Sequence, residues 1–166
     1  MNIDQKLYEI IKDFGIDLVL SVPCILLKGI LDLINERKEL LHIPVTREEE
    51  GVGIAAGAYL GGKRPAILMQ NSGLGNSINA IKSLLELYNI PIIFIMSHRG
   101  GKGEKILAQI PMGKITDKLL DVAGIKTWSI KSSKEITKLK EAIIYSQEHN
   151  CSVGILLQKS LWSEEI

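Results

Sequence analysis

The chain has 166 residues, 46% of them hydrophobic, enough to bury the core of one domain of ordinary size. Its 20 basic and 19 acidic residues leave a net charge of +1, so no bulk field points to nucleic acid or to an anionic membrane surface. No apolar run reaches spanning length and the first residues carry charge without an apolar leader core, so the expectation is a soluble, cytoplasmic protein. Two cysteines, Cys24 and Cys151, stand too far apart for a local metal or redox motif and read as free thiols in a reducing compartment.

Apolar residues at helical spacing run from Ile3 through Leu7, Ile10 and Ile11 to Phe14, and Gly15 stops them. A short β-branched strand follows over 17–22, then helical spacing from Leu26 to Ile34 and a second strand over 40–45. A helix is predicted over Glu48–Leu60, ended by Gly61-Gly62, and a strand over Pro65–Gln70. Asn76–Tyr88 reads as a helix and 91–96 as the most apolar strand. The polar, glycine-bearing stretch 97–111 precedes a helix over 113–122, a strand over 126–130, a helix over 133–149 and a last strand over 152–157. Strands that are apolar throughout and alternate with helices predict an α/β fold: a three-layer parallel sheet of about six strands with helices on both faces, in a single domain over residues 1–166.

Ligands of open α/β sheets bind beyond the carboxyl ends of the strands. Four loops fall there: Ser21–Cys24, Arg47–Glu49, Asn71–Asn76 and the run from His98 to Gly103. Any one of them is an ordinary turn; their agreement marks a site. Glu48, Glu49 and Glu50 open a helix of small residues, and acids in a first turn are favoured by the helix dipole alone. The loop Asn71-Ser72-Gly73-Leu74-Gly75-Asn76 lacks the Lys-Ser/Thr ending of a P-loop and the spacing of a dinucleotide fingerprint. Capping suffices for Asn76. His98 at a strand end is a candidate proton shuttle, with a structural histidine as the alternative. Cys24 has no base near it in sequence and is not read as a nucleophile.

Thr46-Arg47-Glu48-Glu49-Glu50-Gly51-Val52-Gly53-Ile54-Ala55-Ala56-Gly57 and Gln70-Asn71-Ser72-Gly73-Leu74-Gly75-Asn76 together resemble the pyrimidine-binding domain of thiamine diphosphate enzymes. The second segment is most similar to the sulfopyruvate and phosphonopyruvate decarboxylase branch. The resemblance implies that one glutamate meets N1′ of the cofactor's aminopyrimidine and starts the proton transfer that activates the thiazolium. The family spacing of a glutamate, eight intervening residues and a helix glycine selects Glu48 with Gly57, and holds Glu49 in reserve. It also implies that Val22, Pro23, Ser72, Gly73 and Gly75 border thiamine diphosphate, and that Asn71, Arg99, Lys102 and Gln109 contact substrate. Arg99 and Lys102 would grip the anionic end of a sulfonate or phosphonate from a glycine-hinged gate.

The chain has no Gly-Asp-Gly, the motif with which the family holds the diphosphate through a divalent metal. The resemblance therefore implies half an enzyme without metal ligands of its own. A beta subunit would supply the diphosphate and Mg2+ site, in a hetero-oligomer of αβ pairs that decarboxylates a 2-oxo acid. 3-Sulfopyruvate, going to sulfoacetaldehyde in coenzyme M biosynthesis, is the implied substrate. The alternatives are phosphonopyruvate decarboxylation, another split thiamine diphosphate enzyme, or a nucleotide-binding module without catalysis.

Overall fold

The computed structural model describes residues 1–165, with side chains described as far as Ser163. Six strands, β1 (Leu18–Ser21), β2 (Leu41–Pro44), β3 (Pro65–Gln70), β4 (Ile93–His98), β5 (Lys126–Ile130) and β6 (Val153–Gln158), form one sheet in the order β2-β1-β3-β4-β6-β5. Every neighbouring pair is parallel. The helices are α1 (Ile3–Asp13), α2 (Lys28–Arg37), α3 (Glu48–Leu60), α4 (Gly73–Ala80), α5 (Ile110–Val122) and α6 (Thr137–His149).

Alternation along the strands divides the core into two layers, because successive side chains leave a strand on opposite faces. Val19, Ala66, Leu68, Ile93, Ile95, Val153, Ile155 and Leu157 pack with apolar residues of α1, α2 and α6. Their neighbours Leu18, Leu20, Ile67, Met69, Phe94, Met96 and Leu156 pack with α3, α4 and α5. The fold class is the one the continuous apolar strands predict, since β1, β3 and β4 are buried along their whole length apart from the last residue of β3.

Several boundaries differ from the sequence reading, three of them at or beside the site loops. The helix expected from Asn76 begins at Gly73, because Ser72 already has helical backbone angles. It widens into a π-helix over Ile81–Glu86, where Ser83 Oγ donates to the Asn79 carbonyl at 2.6 Å, a side-chain bond of the kind that bends helices. Ser97 and His98, expected in a loop, complete β4 by pairing with Leu157 and Gln158 of β6. The helix expected from Gly113 starts at Ile110, with Pro111 in its first turn, where a missing N–H costs nothing.

Gly154 shows how tightly the second layer is packed: a Cβ there would stand 3.2 Å from Leu120 and 3.3 Å from Thr127. Phe94, fully buried at mid-sheet, is the largest side chain of that layer. Phe94→Ala is expected to cost about 3–5 kcal/mol in urea unfolding, with the urea dependence per molar unchanged.

Candidate active site

The carboxyl ends of β1, β2, β3 and β4 lie side by side, and the predicted site loops leave from them. The structure sorts the predicted residues into three groups.

The first group surrounds the start of α3. Glu48 crosses to the adjoining helix: its Oε2 accepts a hydrogen bond from Asn76 Nδ2 at 2.9 Å. Its side chain also lies against Gly73, where an added Cβ would come within 2.2 Å of it. Glycine at 73 is thus required by the approach of α3 to α4. Asn76 belongs to this contact and is not a cap. Glu49 has the opposite character. One carboxylate oxygen pairs with Arg47 at 2.5 Å, and the other, Oε2, is buried without a hydrogen-bond partner. Buried carboxylate oxygens are almost always partnered, so this orphan marks a place for a donor from outside the chain. The family count had selected Glu48, but the geometry gives the unsatisfied acid as Glu49.

Beside these acids, the backbone N–H of Val22 donates to the Leu68 carbonyl and fixes the turn after β1. The exposed Pro23 and the half-buried Cys24 follow it. Cys24 Sγ lies 3.1 Å from Ser97 Oγ and 4.0 Å from Gln70 Oε1, while Gln70 Nε2 donates to Ser72 Oγ at 2.8 Å. Gly75 faces Met112 of α5, 3.8 Å from a built Cβ. The polar chain Cys24–Gln70–Ser72 was not legible in sequence, since Cys24 comes from the turn after β1 and Gln70 and Ser72 from the end of β3.

The second group is a clamp. Asn71, expected to touch substrate, is buried with its amide fully engaged. Its Oδ1 accepts the Arg99 N–H at 2.9 Å, and its Nδ2 donates to the Arg99 carbonyl at 3.1 Å and to Thr116 Oγ1 at 2.8 Å. Arg99, expected to grip an anionic substrate, donates instead from Nε and Nη2 to the two oxygens of Glu104, at 2.7 and 2.9 Å. The expectation for Asn71 is corrected because its amide is met within the chain, and that for Arg99 because it is committed to Glu104 through Nε and Nη2. Glu104 also accepts from the N–H groups of Gly100, Lys105 and Ile106. The Arg99 guanidinium and the backbone donors hold its carboxyl far below the usual range, and Glu104 raises Arg99 in turn. Sequence reading passed over Glu104, although an acid five residues after an arginine in a glycine-rich turn was a visible signal.

Two glycines here are contact points. Gly100 has φ of +81°, and a Cβ there would meet the Gln109 carbonyl at 2.1 Å; one on Gly113 would meet the Arg99 carbonyl at 2.4 Å. The start of α5, preceded by Gln109 with its Oε1 buried and unpartnered, is thereby pressed onto the turn after β4. The expected gate is bolted at 99–100, with the exposed residues 101–103 outside the contact and Gly103 in open space.

The third group lies elsewhere. His98 and Lys102 line a cavity towards β5 and β6, which shares no residue with the Glu48 and Glu49 neighbourhood. His98 Nδ1 is bonded to Gln158 Oε1 at 2.9 Å, so the catalytic expectation for His98 and the substrate expectation for Lys102 are revised by placement. Among the described residues no group of three or more His, Cys, Asp or Glu is arranged to hold a metal ion. Among the described residues no helix is long and apolar enough to cross a membrane.

This geometry, an acid with an orphaned oxygen at the mouth of a small-residue helix above a parallel sheet, is that of a cofactor-binding α/β domain. Residues 1–123 match the family model described as the thiamine pyrophosphate enzyme, N-terminal TPP binding domain, and the chain belongs to that family. It is 52% identical over 166 residues to sulfopyruvate decarboxylase subunit alpha of Methanococcus maripaludis, covering 99% of each chain. It is 50% identical over 161 residues to the protein of the same name from Methanocaldococcus jannaschii, covering 96% of this chain and 95% of that one. Among solved structures it superposes on 2-oxoglutarate:ferredoxin oxidoreductase from Magnetococcus marinus with a TM-score of 0.75, over 96% of this chain and 29% of that one. At 14% identity that likeness speaks for the fold alone.

Glu104→Gln removes the charge that holds Arg99 and is expected to loosen the turn. Trypsin should cut after Lys102 and Lys105 markedly faster than in the parent, while the far-ultraviolet spectrum stays the same. The sign of the pH dependence follows from the depressed carboxyl: its stabilisation is complete above the ordinary carboxylate range and is lost progressively as pH falls from there to the lower folded value. Protection from an acid-tolerant protease should therefore begin to decline near pH 4, roughly the unperturbed carboxylate value, and fall gradually below it, while Glu104→Gln shows no such slope.

Proposed function

We propose that the chain is the alpha subunit of a thiamine diphosphate-dependent 2-oxo acid decarboxylase acting on 3-sulfopyruvate. The observation that carries the reading is the buried, partnerless Oε2 of Glu49, set at the helix mouth to which the sequence resemblance assigns the aminopyrimidine, in a chain of the TPP-binding N-terminal family. Identity near 50% over almost the whole of two sulfopyruvate decarboxylase alpha subunits supports the substrate. Phosphonopyruvate decarboxylation ranks second.

The residues present fit the pyrimidine end of the cofactor. Glu49 Oε2 would share its carboxyl proton with N1′, Arg47 would hold the other carboxylate oxygen, and Glu48 would brace α3 against α4 so that the acid keeps its aim. Val22, Pro23, Ser72, Gly73 and Gly75 would line the same end, where glycine permits close approach. Gln109 Oε1 would face the substrate, held by the packing of Gly100 and Gly113. When bound, thiamine diphosphate supplies the nucleophilic carbon and the electron sink for losing CO2 from a 2-oxo acid. The share of this chain is to place a proton at N1′, to orient the ring and to exclude water.

A second subunit would hold the diphosphate and Mg2+, in αβ pairs. The "subunit alpha" names of the relatives and the lack of a Gly-Asp-Gly motif support this division. Isolated chain should bind thiamine diphosphate weakly and turn over no sulfopyruvate, and activity should appear on mixing with a Gly-Asp-Gly-bearing partner. Robust decarboxylation by the chain alone would overturn the split.

Glu49→Gln should lower kcat of the reconstituted enzyme by roughly 10²–10⁴-fold, the range for losing a positioned proton-transfer group. Glu48→Gln keeps a hydrogen-bonding side chain towards Asn76 and should lose much less. Steady-state decarboxylation of both variants, with assembly checked by gel filtration, decides between the acids; the reverse order would return the role to Glu48.

A further inference from the structure

The outer side of α3 has the composition of an inner one. Val52, Ala55 and Ala56 are buried against the sheet, as the apolar stripe of a surface helix should be. The opposite side should then be polar, and it is not. From Gly51 to Leu60 the helix has no charged residue, and its one polar side chain, Tyr59, donates to Asn150 Oδ1 at 3.1 Å. Gly53, Gly57 and Leu60 follow one another around the outer side and are exposed, together with Ile54. A helix that is apolar all round belongs in an interior. The outer sides of α2 and α6, by contrast, show Glu36, Arg37, Glu141 and Glu148 to solvent.

Two further observations enlarge this surface and set it against the needs of the chain alone. Leu41 and Ile43 of the edge strand β2 stand in register with Leu18 and Leu20, so they point to the α3 side of the sheet, and they too are exposed. Gly53 and Gly57 have nothing within 4 Å of a built Cβ. Gly73, Gly100 and Gly113 are glycine because a side chain would collide; Gly53 and Gly57 are not, and each weakens a helix interior relative to alanine. No contact within the described residues asks for them. A second helix laid across this side does, since two axes come closest where side chains are missing.

We propose that the outer face of α3, with Leu41 and Ile43 beside it, is the docking surface for the second subunit that completes the cofactor site, which lays an apolar helix across Gly53 and Gly57. The inference rests on the proposed function and adds the face through which the two chains meet. Position identifies the occupant. Glu49, with its partnerless Oε2, is in the first turn of the same helix, and Gly53 stands one turn further on. A chain that holds the diphosphate end of a cofactor seated at Glu49 must stand over the start of α3. A second copy of this chain, which has no Gly-Asp-Gly, would leave the site as incomplete as before.

The test measures binding of the full chain to a separately produced, Gly-Asp-Gly-bearing beta subunit by titration calorimetry, with thiamine diphosphate and Mg2+ in both solutions. Ile54→Lys and Gly57→Leu should each weaken binding at least about tenfold, since one buries an unpaired charge and the other blocks close approach. Neither should harm the chain alone: the thermal midpoint should hold for Ile54→Lys, and hold or rise for Gly57→Leu, which removes a helix glycine. Ile144→Lys, on α6 at the opposite face, is the control and should bind like the parent. Unchanged binding by both α3 variants, or equal weakening by Ile144→Lys, would overturn the surface and leave the functional reading standing. A parent chain that binds no such subunit overturns the reading and the surface together. A parent that is a dimer by itself in sedimentation equilibrium, and becomes a monomer on Ile54→Lys, would give the face to a second copy and overturn the assignment.

Discussion

One asparagine holds the working edge of this molecule together. Asn71 leaves the end of β3 and forms a two-way amide bridge to the backbone of Arg99 at the end of β4, then reaches Thr116 in α5. A polar side chain buried between strand ends is tolerable only when every donor and acceptor is met, and here they are. From that bridge the direction of the next residues follows. Arg99 is turned to meet Glu104, the chain reverses at Gly100, and α5 begins close enough to hold Gln109 in place. The loops above the sheet are ordered by hydrogen bonds within the chain, and their exposed tips are what remains free to change.

Sequence reading was strongest where one physical rule acts alone. The helix over Glu48–Leu60 and the strands over Pro65–Gln70 and Lys126–Ile130 were legible to the residue, because acids at the start, a glycine pair at the end, and short β-branched or apolar runs act locally. The six-stranded parallel sheet followed from strands apolar on both sides. Roles that depend on partners were harder. Asn71 beside Ser72 and Gly73 has the look of a ligand-binding loop, and nothing local tells a side chain that serves a ligand from one that serves the next strand. Arg99 in a basic, glycine-rich run looked free because its partner lies five residues on, across a turn that only the positive φ of Gly100 allows.

The three consecutive acids of α3 show the same limit at finer scale. Neighbours on a helix point about 100° apart, so Glu48, Glu49 and Glu50 have three separate fates. Glu50 accepts from Thr46, Glu48 braces α4, and Glu49 alone keeps a buried oxygen unspent. Spacing along the chain cannot resolve one position without knowing which side of the helix faces the sheet. Burial of Val52, Ala55 and Ala56 puts Glu48 and Glu49 alike on the packed side, and only their partners tell them apart.

The order of the sheet has a consequence for how the chain reaches this structure. Parallel neighbours cannot be joined by a hairpin, so each pairing must wait for a crossover to close. The register sets Leu18 against Pro65 and Ile93 against Val153, contacts between segments far apart in the chain. Folding dominated by such distant pairings is slow, because loop closure comes before the reward of contact. β6 inserts between β4 and β5 after both have been synthesised. Until it does, β4, the most apolar strand of the sequence, has an open edge. The nascent chain is therefore most exposed to aggregation just before its last strand is in place.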